Sequence, residues 1–346
     1  MLDTKKKSIW YTITHIQRLN RKEYIKLIRR VTAFIMVAFV ASFLVFFGIA
    51  WFGGISKVTH IIETSNLYIY SLAFVSVLGG YLLRFVKWYY YLKKMNIKIP
   101  FRKNLIVYLS LYSMNITPGK VGRILVAYTL NRLTAKKTSN ILPIVTLDIF
   151  TDFIGVGALA LLAAIYFHTY VLYIVIIDIV LIAPFLFIVS DWFYNIIKKI
   201  IKSEKVIKFF TLYGDEYFAS QSRLNTPMVY AVSLAVSLPA AFLNSMALYF
   251  SLLAIGFAPH IAGVAFIESS SMVLGMITAI PGNIGVTDGA LVAFIGSAFE
   301  ANAAISSAVT IMTRLATLWF GVILGGIMLI YSLRYWSKMP RKQTRH

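Results

Sequence analysis

The chain has 346 residues, 59% hydrophobic, 15% aromatic and 14% charged, with a mean hydropathy of +0.76. That composition excludes a soluble globular domain and points to an all-α polytopic membrane protein. With no cysteine, disulfides, thiolate nucleophiles and thiolate metal sites are excluded, and the five histidines fall in loops or tails. No catalytic residue, metal site or cofactor is therefore expected, and the formal net charge of +21 is spread over the loops instead of gathered in one patch, so it calls for no nucleic acid.

Residues 1–30 form a basic segment. The first apolar run, 31–52, is 22 residues long; it can cross about 30 Å of hydrocarbon and is too long for a signal-peptide core, so it reads as a permanent anchor. Runs of spanning length follow at 67–86, 141–167, 170–190, 228–257 and 303–332, which makes six spans. Two further apolar stretches, 104–133 and 261–299, are each interrupted near the middle by Pro-Gly-x-x-Gly: Pro118, Gly119 and Gly122 in the first, Pro281, Gly282 and Gly285 in the second. The most polar segment, 191–227, alternates Ile and Phe with Lys, which suggests basic amphipathic helices on anionic inner-leaflet lipid or a solvated linker between halves. Residues 335–346 are a basic tail.

Proline and glycine break helices, and a break at membrane depth leaves backbone groups that only protein or a wet cavity can satisfy. Each interrupted stretch is either one kinked span or a hairpin that enters and leaves by one face. Lysine and arginine near span ends collect on the cytoplasmic side, which arbitrates. If both are hairpins, 31 of the 34 basic residues fall inside, in 1–30, 87–103, 120–137, 198–223 and after 332. Only Lys57 falls outside, with Arg84 and Arg314 inside spans. The expected topology therefore has both termini cytoplasmic, six spans, and two re-entrant hairpins entering from opposite faces as an inverted repeat. The first membrane half is 31–190 and the second 228–334. Paired broken helices of this kind point to a transport site.

Charges in lipid are expensive, so the intramembrane ones are candidates for function. Asp148 and Asp152 are four apart and share one helical face; they line a cavity and bind a cation or proton, or are neutralised by Arg or Lys from a hairpin. Asp152 follows Gly122 by 30 residues and Arg314 follows Gly285 by 29, so each break is followed by a span presenting a charge to the same region. A guanidinium there suits phosphate; the structural alternative is a pair with Asp152 or Asp288. Lys120 and Arg123 flank the first break, and Asn283, Thr287 and Asp288 the second, where free N–H groups can cradle an anion. Thr287 and Asp288 are also natural caps for a helix beginning at Gly289. Glu268 is the sole acid on the first arm of the second hairpin. Arg84 is expected to snorkel to the cytoplasmic face, and Asp178 has no assigned role.

The segment from Asn115 to Arg123, the acids at Asp148 and Asp152, and the segment from Ile280 to Leu291 followed by Arg314 resemble the lysylphosphatidylglycerol synthase transmembrane region family. The likeness covers roughly residues 26–334. It implies a lipid-flippase-like fold with inverted repeats and re-entrant hairpins, and membership beside the flippase domain of the bacterial multiple peptide resistance factor. The family often carries an acid where Arg123 stands, Glu-Arg at Asp148-Ile149 and Glu at Asp288. No soluble synthase domain accompanies these motifs, so the expectation is a protein that moves a lipid and does not make one.

The leading expectation is a plasma-membrane lipid translocator for a phosphate-containing headgroup, aminoacylated or polyprenyl-linked lipids included. Lys120, Arg123 and Arg314 would contact phosphate, and Asp148, Asp152 and Asp288 a cationic group or coupling ion, with Glu268 and Asn283 completing the binding set. The alternative is an ion- or proton-coupled transporter of a small solute. An intramembrane aspartyl protease built on Asp152 and Asp288 fits poorly, since Val286-Thr287 precede Asp288. Assembly into an oligomer is compatible with either reading.

Overall fold

The computed structural model describes residues 21–134, 136, 138–167, 172–176, 178–179, 215–278 and 280–336, and among these there is no strand. In chain order the helices are α1 (Arg21–Gly53), α2 (Ile55–Glu63), α3 (Leu67–Lys94), α4 (Phe101–Ser110), α5 (Ile124–Thr134), α6 (Thr138–Phe167), α7 (Asp215–Ser222), α8 (Pro227–Ala254), α9 (Ile261–Ile277), α10 (Val286–Phe299), α11 (Ala303–Arg314) and α12 (Phe320–Trp336). Short 3₁₀ turns, Leu111–Met114, Pro118–Arg123 and Pro281–Asn283, occupy the two breaks. A π-helical turn, Leu315–Trp319, joins α11 to α12.

Helix starts follow local capping chemistry. Asn66 Oδ1 accepts from the Tyr68 and Ile69 amides at 3.0 and 3.2 Å, and Asn302 Oδ1 accepts from Ile305 at 3.0 Å. Thr226 caps α8 with Pro227 at its first position, where a missing N–H costs nothing. α10 begins at Val286, three residues earlier than the capping pattern predicts, because Gly285 takes φ 88° and itself ends the break. α3 continues past the apolar run to Lys94, because Trp88, Tyr91 and Leu92 keep its inner face buried.

Six stretches are long and apolar enough to cross a membrane: Met36–Gly53, Leu67–Lys94, Thr138–Phe167, Pro227–Ala254, Pro281–Phe299 and Ala303–Ser332. The chain is thus an all-helical, multi-pass membrane protein. The span expected at 170–190 lies outside the described residues except for 172–176 and 178–179, which are helical. Most of the expected linker, residues 191–214, also lies outside them. Of the candidate spans, Thr138–Phe167 is the most buried (61%) and Met36–Gly53 the least (17%), so α6 is central and α1 peripheral. Phe39, Phe43 and Phe47 on α1 and Ile323, Ile327 and Ile330 on α12 are exposed at helical spacing, an apolar belt suited to lipid contact.

The two halves exchange partners. α3 and α8 are each 28 residues long, start 160 residues apart, and pack along each other. α4 and α9 also start 160 residues apart. α4 packs on α12, the span after the second break, while α9 packs on α6, the span after the first. Within each half the arms of the interrupted stretch touch, α4 against α5 and α9 against α10, and the two breaks meet each other. Every one of these contacts maps onto another when the halves are swapped, as an internal structural repeat requires.

Candidate functional site

The breaks meet, and their backbones match at one position. In Pro118-Gly119-Lys120 and Pro281-Gly282-Asn283 the third residue is left-handed, with φ 58° at Lys120 and 56° at Asn283. Side chains other than glycine rarely sit there, and such strain gathers at sites where the fold over-determines it. At the first break the Gly122 amide donates to Thr117 Oγ1 at 2.9 Å, and a Cβ on Gly122 would lie 2.8 Å from the Thr117 side chain. At the second, Asp288 Oδ2 accepts from the Gly285 amide at 2.6 Å, and Gly275 lets α9 lie directly on Thr287 and Asn283.

Around the breaks lies a small cavity of about 80 Å³, room for a few water molecules. Its walls carry four cations, Arg84, Lys120, Arg123 and Arg314, against two acids, Asp152 and Glu268. Asn115, Asn244, Asn283 and Gly282 add polar surface, and Tyr81 stacks on Tyr112 at 3.7 Å on one side. Of the residues singled out in the sequence, Lys120, Arg123, Asp152, Glu268, Gly282, Asn283 and Arg314 reach this cavity, whereas Asp148 and Asp288 stand behind its wall.

Five cations and four carboxylates are gathered at this centre. On one side α3 and the first break supply three cations to the two acids of α6. Arg84 Nε lies 3.2 Å from Asp152, Lys87 Nζ lies 2.9 Å from Asp152 and 3.4 Å from Asp148, and Arg123 Nη1 lies 3.1 and 3.5 Å from Asp148 and Asp152. Lys87 is fully buried and also donates to Thr151 Oγ1 at 2.8 Å and Ser237 Oγ at 3.0 Å, which satisfies its ammonium without water. On the other side Arg314 donates through Nε to Asp288 at 2.6 Å and through Nη2 to the Gly282 carbonyl at 2.7 Å, tying α11 to the second break. Asp288 is therefore both cap and ion partner. Immediately after Arg314 the helix widens into its π turn. The Tyr70 and Tyr81 hydroxyls of α3 donate to the carbonyls of Met312 and Thr317 at 2.8 and 3.1 Å, covering backbone near that turn.

Two charged groups at the centre stand outside these pairs. Lys120 is in ion-pair contact with no carboxylate among the described residues; its ammonium sits 4.7 Å from the centroid of Phe153. Glu268, 4% exposed, accepts from Asn244 Nδ2 at 3.0 Å and Ser245 Oγ at 3.1 Å, both neutral donors.

The placements of Arg84 and Lys87 depart from the sequence reading, and those of the aspartates decide between its alternatives. Arg84 does not snorkel: it is 7% exposed and points to Asp152. Lys87, counted only with the loop charges, is part of this centre, alongside Lys120 and Arg123 of the first break. Asp148 and Asp152 are neutralised by the first break and α3, and Asp288 by Arg314, so none of the three aspartates is left free for a cationic ligand. Lys87 was concealed by the end of the apolar run at Val86. Its spacing of three from Arg84 puts both on one helical face and was the available signal. Asn244 carried none, being an ordinary amide in an apolar run. Asp178 lies against Gly157 of α6.

The family described as lysylphosphatidylglycerol synthase TM region matches residues 34–325. A UPF0104 membrane protein of Pyrococcus horikoshii is 24% identical over 315 residues, covering 81% of this chain and 92% of that protein.

Proposed function

The chain belongs to the lysylphosphatidylglycerol synthase transmembrane region family, and from that membership we propose that it is a lipid translocator whose central cavity, about 80 Å³ in this conformation, widens to pass a phosphate-containing headgroup while the acyl chains stay in hydrocarbon. The observation that carries this reading is the uncancelled charge of the cavity wall. Three cations share two aspartates on one side, and Lys120 adds a further positive charge with no carboxylate partner among the described residues. A phosphodiester is a compact anion whose oxygens take several charge-assisted bonds at once, from the Lys120 ammonium and from guanidinium N–H groups turned to the cavity. Polar backbone at the two breaks adds further hydrogen-bonding groups.

In this reading the hairpins enter from opposite faces of the plasma membrane, both termini are cytoplasmic, and basic loops rest on anionic inner-leaflet lipid. The lipid is a phospholipid or a polyprenyl phosphate. No covalent bond is made or broken. Asp152 and Asp288 each hold a guanidinium, which leaves neither to share a proton as an aspartyl dyad does.

Lys120 is the residue to test, because it holds no ion pair and its removal leaves no buried charge orphaned. Purified protein in liposomes carrying a fluorescent phosphatidylglycerol moves the probe between leaflets, read by quenching of the outer leaflet. Loss of one charge-assisted contact, about 1.5–3 kcal/mol, slows Lys120→Ala by roughly tenfold or more. An unchanged rate, or no movement by the wild type, overturns the reading.

A further inference from the structure

Glu268 differs from the other acids of the centre. Asp148, Asp152 and Asp288 are each held by an arginine or lysine, whereas both oxygens of Glu268 rest on neutral groups, the Asn244 amide and the Ser245 hydroxyl. We propose that Glu268 is a proton-binding site coupled to the anion: a phosphodiester headgroup enters the cavity together with one proton, taken from water onto the Glu268 carboxylate. This rests on the reading above that the cavity receives a phosphate-bearing headgroup.

The pocket accommodates both protonation states. With Glu268 ionised, Ser245 donates to Oε2 at 3.1 Å. Ser245 Oγ also lies 3.3 Å from the Ala241 carbonyl. A hydroxyl donates one bond and accepts others, so when Oε2 carries the proton, Ser245 turns its hydrogen to Ala241 and accepts from Glu268. Proton uptake then leaves no buried donor or acceptor unpaired, and Asn244 keeps its bond to Oε1 throughout.

Surrounding charges fix the sign of the coupling. α9 carries no other ionisable side chain, and α8, packed on it, carries no acid, lysine, arginine or histidine. α6 presents Asp148 and Asp152, and α10 presents Asp288, all ion-paired. Arg84, Lys120, Arg123 and Arg314 share the cavity with Glu268, and Lys120 is the one of the four that is not a guanidinium, so the test must separate its titration from that of Glu268. Before an anion arrives, their charge opposes the cost of burying an ionised Glu268. An arriving phosphodiester competes for the same cations and repels the carboxylate in the same low-dielectric space. Anion and proton thus favour each other's binding, by equal factors.

The test uses the full chain in detergent, with dihexanoyl phosphatidylglycerol and its free headgroup glycerophosphoglycerol as probes, since neither phosphodiester titrates between about pH 5 and pH 8. For the wild type, affinity for the short-chain lipid falls by up to about tenfold per pH unit, and in weak buffer about one proton is taken up per lipid bound. Glu268→Gln, which keeps the bonds to Asn244 and Ser245, binds with the low-pH wild-type affinity at every pH and takes up none; an unchanged melting temperature checks its fold. A flat wild-type profile with binding intact overturns the coupling and leaves the translocator reading standing. Retained pH dependence in Glu268→Gln assigns the titration to Lys120 and overturns it as well. No binding of either probe overturns both readings. If the free headgroup binds as tightly as the lipid with the same proton uptake, the coupling stands and the cargo is a water-soluble anion.

Discussion

Arg314 and Asp288 lie 2.6 Å apart with 2% and 0% of their side chains exposed. Taking both from water is costly, and their attraction together with the bonds to Gly282 and Gly285 offsets that cost. Removing one partner strands a buried charge, so Arg314→Ala loses about 3–5 kcal/mol, read as a lower unfolding temperature in detergent, and Arg314→Ala with Asp288→Ala recovers part of it. If the single variant is as stable as wild type, the pair is not a structural tie. Lys120→Ala, by contrast, leaves the unfolding temperature close to wild type, which is why the transport test rests on it. The pairing of Asp288 with Arg314 was legible at this scale as one of two alternatives, whereas its capping role was misplaced: it was expected to cap a helix beginning at Gly289 and instead, in the first turn of a helix beginning at Val286, accepts from the Gly285 amide. The pairing of Lys87 was not legible, because a lysine just beyond an apolar run reads the same whether it turns to water or inward.

At the scale of elements, small residues set how closely helices approach. Gly155 of α6 lies so near α8 that a Cβ would be 2.6 Å from the Ser237 side chain, and this closeness brings Ser237 within reach of Lys87. On α12, neighbouring glycines have opposite surroundings. A Cβ at Gly325 would collide with the Ser113 backbone nitrogen, while at Gly326 nothing lies within 4 Å. Gly325→Ala therefore pushes α12 off the first break and costs about 1–3 kcal/mol, whereas Gly326→Ala is neutral or stabilises by up to about 1 kcal/mol through helix propensity. Equal stabilities in thermal unfolding would show that α12 does not pack on the first break as described. The helices and their breaks were readable from apolar runs and Pro-Gly pairs; which glycine serves packing was not, because Gly325 and Gly326 are identical in sequence terms.

For the whole molecule, the exchange of α4 onto α12 and of α9 onto α6 gives each interrupted stretch a seat in the other half. Opposed entry of the hairpins follows if the halves are inverted. The chain contains no cysteine, so single substitutions report access directly. Lys98 lies exposed at the outer end of α4 and His260 at the outer end of α9. An impermeant thiol reagent applied to intact cells labels His260→Cys and spares Lys98→Cys until the membrane is opened. Labelling of both from one face would contradict the inverted arrangement.

The sequence by itself determined the class, the helices, the two breaks and the set of charges from which a centre can be built. Each follows from local causes: apolar runs of spanning length, backbone groups that proline and glycine leave open, and the cost of a charge in hydrocarbon. Only the tertiary structure decided which charge neutralises which. Lys87 reaches Asp152 across 65 residues and Ser237 across 150, and the two breaks meet across the halves. Ion pairing depends on distances of a few ångströms that no spacing along the chain records. The same is true of the two groups left over, Lys120 and Glu268, which stand out only after every other partner has been assigned.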